Sequence, residues 1–152
     1  AVVVAAEGGL DHWEKDGHGA LALVLLLDPI AHRVYRNLSL AYDHDRRARS
    51  VTLNAMGSRS CERLDVLARA WLFHPLACSE RQADQELAQR LYAGIGYELE
   101  QAGGGAFLRE AEENARVIAA FGRFPERNKV LGRRSTPAEL LYLASRTGVL
   151  QV

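Results

Sequence analysis

The chain has 152 residues, of which 48% are hydrophobic and 25% charged, the balance of one soluble globular domain rather than of a disordered chain. Its 19 Lys+Arg equal its 19 Asp+Glu, so bulk charge points to neither nucleic acid nor an anionic membrane. The longest apolar run, Ala20 to Leu27, falls short of the roughly 20 residues a membrane-crossing helix needs, and two cysteines make no disulfide scaffold, so a reducing cytoplasm is the expected location.

Ala and Leu supply 45 residues, against 17 for Val, Ile and Thr. That bias favours helix over sheet, because β-branched side chains lose χ1 freedom in a helix and Ala and Leu do not. The expectation is an all-α fold of six or seven helices with short loops, forming a single helical domain over 1–152. The start at Ala1 without Met suggests that N-terminal residues of a longer protein are lacking.

In chain order, Gly8-Gly9 closes the first segment. A helix over Gly19–Asp28 is apolar all round and is expected to be buried on every side. Asp28-Pro29 reads as an N-cap and first helical residue, restarting a short helix to Tyr35. Leu40 to Ala55 reads as a helix with the polar face Asp43-His44-Asp45-Arg46-Arg47, closed by Gly57. The next starts at Ser60 or Cys61, carries Leu64, Leu67, Ala68, Trp71 and Leu72, and stops at Pro75. Ser79-Glu80-Arg81-Gln82 has the form of a capping box, followed by a core stripe of Ala83, Leu87, Leu91, Ile95 and Leu99 up to Gly103-Gly104-Gly105. Phe107, Ala111, Ala115 and Ile118 line a further helix capped by Gly122. After a basic loop, Thr136-Pro137-Ala138-Glu139 forms a second capping box, and Leu140, Leu141, Leu143 and Ala144 carry a last helix to Ser145.

The segment from Phe121 to Glu139, FGRFPERNKVLGRRSTPAE, resembles the C-terminal signature of the bacterial domain-of-unknown-function 924 family, roughly FGRFPHRNxxLGRxSTPEE. Leu10 to Arg36 and Pro75 to Glu86 are similar to two further stretches of that family. The resemblance implies a tetratricopeptide-like superhelix of antiparallel helical hairpins, with no activity to carry over. The chain also departs from the family pattern. Cys78, Asn114 and Glu126 stand where the family has histidines, and Asp28-Pro29-Ile30-Ala31-His32-Arg33 replaces its DQFPRN while keeping the Asp.

The loop from Arg123 to Arg134 holds Arg123, Arg127, Lys129, Arg133 and Arg134 against the single acid Glu126. Guanidinium forks suit carboxylate and phosphate, and the loop leads into a helix N-terminus. One reading is a site for a small anion or an acidic peptide; the other has Arg123, Arg127 and Asn128 bonding carbonyls at helix ends to lock the loop. The lock is preferred for Arg127, with Arg133 and Arg134 as the anion contacts. Asp28 and Asp84 fall where helices should be buried and so need partners, either Arg33, Arg36 or Arg123, or a shared polar pocket with the loop. Cys78 has His74 four residues before it, which would assist a reactive thiol. Pro75 argues against helical geometry between the two and no third group orients them, so a small buried apolar role is preferred. Asp43-His44-Asp45 point in different directions on a helix, and no HExxH or CxxC occurs, so no metal and no cofactor is expected.

The functional expectation is a binding module whose concave face, near Arg123, Arg127, Asn128, Asp84 and Glu80, holds a peptide or small anion, with no nucleic-acid or membrane partner. The alternative is an altered hydrolase-like or transferase-like enzyme with a carboxylate–arginine pocket.

Overall fold

The computed structural model describes residues 1–147; residues 148–152 of the expected domain lie outside the described residues. Seven helices and no strand occur among the described residues. They are α1 (Val2–Ala6), α2 (Gly17–Leu25, running on through Leu26–Ile30 and Ala31–Val34), α3 (Asp45–Gly57), α4 (Val66–Ala77), α5 (Gln82–Gln101), α6 (Gly105–Phe121) and α7 (Pro137–Arg146).

The restart expected at Asp28-Pro29 does not occur. Asp16, not Asp28, caps α2, its carboxylate accepting from the Gly19 N–H at 2.9 Å. The helix passes Pro29 through one π turn, Leu26–Ile30. The wider turn accommodates a ring that would collide with the carbonyl four residues earlier, and it turns Asp28 into the core, 2% exposed. Nor is α2 buried all round: Leu23, Val24 and Leu27 are buried, whereas Leu21, Ala22, Leu25 and Leu26 are half-buried. The start of α2 lies tight against neighbouring backbone. A Cβ at Gly17 would meet the Ser60 carbonyl oxygen at 2.3 Å, and one at Gly19 the Trp13 oxygen at 2.0 Å.

Other boundaries shift for local reasons. The stretch from Leu40 is not continuous helix: Ser39–Tyr42 forms a separate 3-10 turn before α3. Gly57 stays helical, and Arg59 takes the left-handed conformation at φ 59°. Ser60–Arg63 is likewise a separate turn, and α4 begins at Val66 under an Asp65 cap. Pro75 does not stop α4; it stands in the last turn, where it removes one helical hydrogen bond, and the Cys78 N–H still reaches the His74 carbonyl at 3.1 Å. The box expected at Ser79 is not formed. α5 begins after Arg81, and the Ser79 hydroxyl accepts from the Arg81 N–H while donating to Asp84 at 2.6 Å. The Thr136 box and the Gly122 cap (φ 72°) form as the sequence predicts.

The main core joins α2 to α6 through Leu23, Leu27, Val51, Leu72, Leu76, Tyr92, Leu99 and Ala111. On α5 the buried line is Ala88, Tyr92, Ile95 and Leu99; Leu87 and Leu91 are half-buried and Ala83 is exposed. A second, smaller cluster of Val117, Ile118 and Phe124, with Phe121 and Tyr142, seats the C-terminal segment, and Leu140 and Leu141 on α7 remain exposed. Among the described residues no helix is long and apolar enough to cross a membrane.

Candidate functional site

The basic loop between α6 and α7 turns most of its polar groups inward. Arg123 donates to both oxygens of Glu139, at 3.1 and 2.8 Å, and to the Arg134 carbonyl at 2.7 Å. Asn128 donates to Glu139 at 2.6 Å and accepts from Arg133 at 3.0 Å. Arg133 grips Glu80 through two bonds of 2.7 and 3.0 Å, and Glu80 also accepts the Phe124 N–H at 2.6 Å. Charge-assisted, two-pronged pairs of this kind are the strong members of their class. The Arg123 guanidinium, helped by Asn128 and the Thr136 N–H, pulls the Glu139 carboxyl down to about 2. Burial would push Glu80 up, and Arg133, the Phe124 N–H and Arg127 outweigh it, leaving its carboxyl below the usual range.

The structure therefore brings Arg123, Asn128, Arg133 and Glu80 together as one inward-bonded set, with Glu139 at its centre. Arg134 is exposed, and among the described residues its side chain carries no bond. Asp84 and Asp28 are elsewhere, and neither meets Arg33, Arg36 or Arg123. Asp84 receives Arg49 at 2.6 and 2.8 Å, and that guanidinium with the Ser79 hydroxyl holds its carboxyl low against burial. Asp28 accepts from His74 Nδ1 at 2.5 Å. Arg127 donates to the Cys78 carbonyl at 2.7 Å, lies 3.6 Å from Asp45, and is sandwiched 4.6 Å from the ring centres of both Tyr42 and Phe124.

Arg127 also forms one wall of a cleft of about 310 Å³ between the start of α3, the α4–α5 connection and the loop. Four guanidinium groups line it, from Arg46, Arg49, Arg81 and Arg127, against the carboxylates of Asp45 and Glu80. Both acids are already engaged, Glu80 by Arg133 and Asp45 by His32 at 2.7 Å. Arg46 and Arg81 are exposed, and among the described residues no hydrogen bond or ion pair ties either guanidinium. The cleft therefore carries uncompensated positive charge.

Cys78 stands on the same wall, half-buried. Because α4 continues through Pro75, its Sγ lies 3.4 Å from Nε2 and 3.7 Å from Nδ1 of His74. His74 is held at Nδ1 by Asp28 and at Nε2 by Glu110, 3.4 Å away. Burial works against charge on His74, but Cys78, Asp28 and Glu110 outweigh it and raise the imidazole well above its ordinary range. Burial likewise pushes the Cys78 thiol up, with His74 opposing.

Sequence reasoning missed Tyr42, Arg46, Arg49 and Arg81 on the cleft, and the link of His74 to Asp28. Arg46 and Arg49 follow the pattern of a solvated helix face, and Arg81 stands inside what reads as a capping box.

A family model described as "Bacterial protein of unknown function (DUF924)" matches residues 1–147. The solved structure of a protein of unknown function from Agrobacterium tumefaciens is similar to this chain at a TM-score of 0.84 and 32% identity. That likeness covers 95% of this chain and 77% of the other. No curated protein matches.

Proposed function

Because the chain belongs to the DUF924 family of bacterial proteins of unknown function, its role has to be read from its own residues, and we propose that it is a tetratricopeptide-like binding module that holds a small anion in the arginine-lined cleft. The observation that carries this reading is the pair Arg46 and Arg81: of the four guanidinium groups in the lining, Asp84 holds Arg49 and the Cys78 carbonyl holds Arg127, and these two have no partner among the described residues. Their planar donor forks suit a phosphate or carboxylate. A cleft of about 310 Å³ matches a small metabolite better than a peptide. Arg123, Arg133, Arg49 and Arg127, each held by protein partners, position the wall; Arg46 and Arg81 face the ligand.

Thermal-shift titration tests this with inorganic phosphate, phosphorylated metabolites and dicarboxylates. A ligand at about 100 times its Kd adds roughly 2.7 kcal/mol, a clear rise in Tm. Arg46→Ala and Arg81→Ala, both at exposed positions, should leave the free protein within about 0.5 kcal/mol of the parent and abolish the shift. A shift that survives in the double variant, or none with any anion, refutes the reading. One observation favours the alternative of an altered hydrolase-like or transferase-like enzyme: the Cys78 thiol opens on the same cleft, with His74 and Asp28 behind it. Turnover of a bound anion that Cys78→Ser abolishes would establish it.

A further inference from the structure

The other carboxylates drawn into the interior are matched by arginine: Asp84 by Arg49, Glu80 by Arg133 and Glu139 by Arg123. Asp28 breaks that pattern by meeting His74, and the exposed Glu110 reaches the same histidine from α6. Among the described residues they meet only imidazoles, His74 for both and His32 at 3.7 Å for Asp28. Two carboxylates and a thiol thus converge on one histidine, and among the described residues no arginine or lysine pairs with either carboxylate.

Three donor atoms of different chemistry come close together. Cys78 Sγ and Glu110 Oε1 each lie 3.4 Å from His74 Nε2, and the three atoms fall within 4.8 Å of one another. Ligands bound to zinc at about 2.0–2.3 Å in a tetrahedron sit roughly 3.3–3.6 Å apart. Behind them, Asp28, 2% exposed, takes the Nδ1 proton at 2.5 Å. That contact fixes the ring and leaves Nε2 as the ligand atom, the arrangement that accompanies most metal-bound histidines. His74 and Cys78 share the last turn of α4, Glu110 comes from α6, and Phe107 and Trp71 pack their rings beside the imidazole.

We propose that His74, Cys78 and Glu110 form a binding site for a zinc-type divalent cation, with Asp28 as the residue that positions His74. Thiolate, imidazole and carboxylate together select zinc over magnesium or calcium, which prefer oxygen alone. Sγ stands near both ring nitrogens, at 3.4 and 3.7 Å, and so off the Nε2 lone-pair direction; the proposal includes a turn of Cys78 about χ1 on metal binding. Three protein ligands leave the fourth position to water or to a bound anion, the open type of zinc site. This inference stands apart from the anion reading, since none of its ligands is an arginine.

The test uses the full chain after chelator treatment, titrated with cobalt(II) and then zinc. The expected result is one cobalt per chain, with the intense visible bands of tetrahedral coordination, a sulfur-to-cobalt band in the near ultraviolet, and displacement by zinc. Cys78→Ser should abolish the sulfur band, and Cys78→Ser and Glu110→Gln should each weaken binding at least about tenfold, with Asp28→Asn weakening it about 10–100-fold. Glu110 is half exposed, so its variant tests the ligand set even if Asp28→Asn does not fold. An octahedral spectrum, unchanged binding in Cys78→Ser, or alkylation of Cys78 at the same rate with and without saturating zinc would each overturn the proposal.

Discussion

Replacing Arg127 with alanine separates a loop held by its own side chains from a loop poised for a ligand. The guanidinium gives the Cys78 carbonyl a 2.7 Å bond, and a hydrogen bond to a charged group contributes about 1.5–3 kcal/mol. Its two ring contacts at 4.6 Å add about 0.5–1 kcal/mol each. The Asp45 contact at 3.6 Å adds between about 0 and 1 kcal/mol. These contributions share one side chain and water enters the space it leaves, so the net loss expected for Arg127→Ala is about 2–4 kcal/mol. For a chain of this size that lowers Tm by about 5–15 °C. Urea unfolding followed by circular dichroism should show a lower midpoint at unchanged m. Arg127→Lys keeps the charge, loses the planar stack, and should recover less than half of the loss. A change within about 0.5 kcal/mol for Arg127→Ala would refute the reasoning and free Arg127 for a ligand.

Leu99→Ala, at a position with no exposure, should cost about 2–5 kcal/mol, whereas half-buried Leu91 should lose clearly less; equal losses in chemical denaturation would contradict the assignment of the α5 face. The acid limb follows from Glu139, Glu80 and Asp84, whose folded carboxyls lie below their ordinary values. The unfolded chain binds more protons through that range, so their contribution is present above about pH 4.5 and is lost as pH falls toward about 2. Tm measured against pH should follow that slope, and Glu139→Gln should flatten it. His74 has the opposite sign: its raised folded value stabilises below its ordinary range and the contribution fades as pH climbs through the raised one.

What the sequence discloses here is what short-range chemistry decides. Thr136-Pro137-Ala138-Glu139 and Gly122 are readable because each satisfies groups within one turn of itself. Ser79 has the same local form, but Asp84 draws its hydroxyl away and the box is lost. Asp28-Pro29 is misleading because Pro at a helix start and Pro inside a π turn look alike along the chain. Pairing is less readable still. The wealth of arginine predicts that Asp84 has a partner but not that Arg49, 35 positions away, is the one. The bond between Asp28 and His74 spans 46 positions. Cys78 and His74 are adjacent on one turn because Pro75 costs a single bond there, and that cost is outweighed by the burial of Leu72 and Leu76.

The second, smaller cluster gives the C-terminal segment a thermodynamics of its own. Its buried apolar cluster is no larger than Val117, Ile118 and Phe124, and much of what fastens the segment is the ionic clasp of Glu80, Arg133, Arg123 and Glu139. The Arg133–Glu80 pair, about a quarter exposed at each partner, is open to screening by salt, whereas the leucine core is not. Amides of the loop and α7 should therefore exchange with solvent by a local opening that high ionic strength promotes, well before the α2–α6 core opens. Arg127 belongs to that segment and also to the cleft wall, so an occupant of the cleft slows the same opening, and occupancy is legible as protection of a helix it never touches.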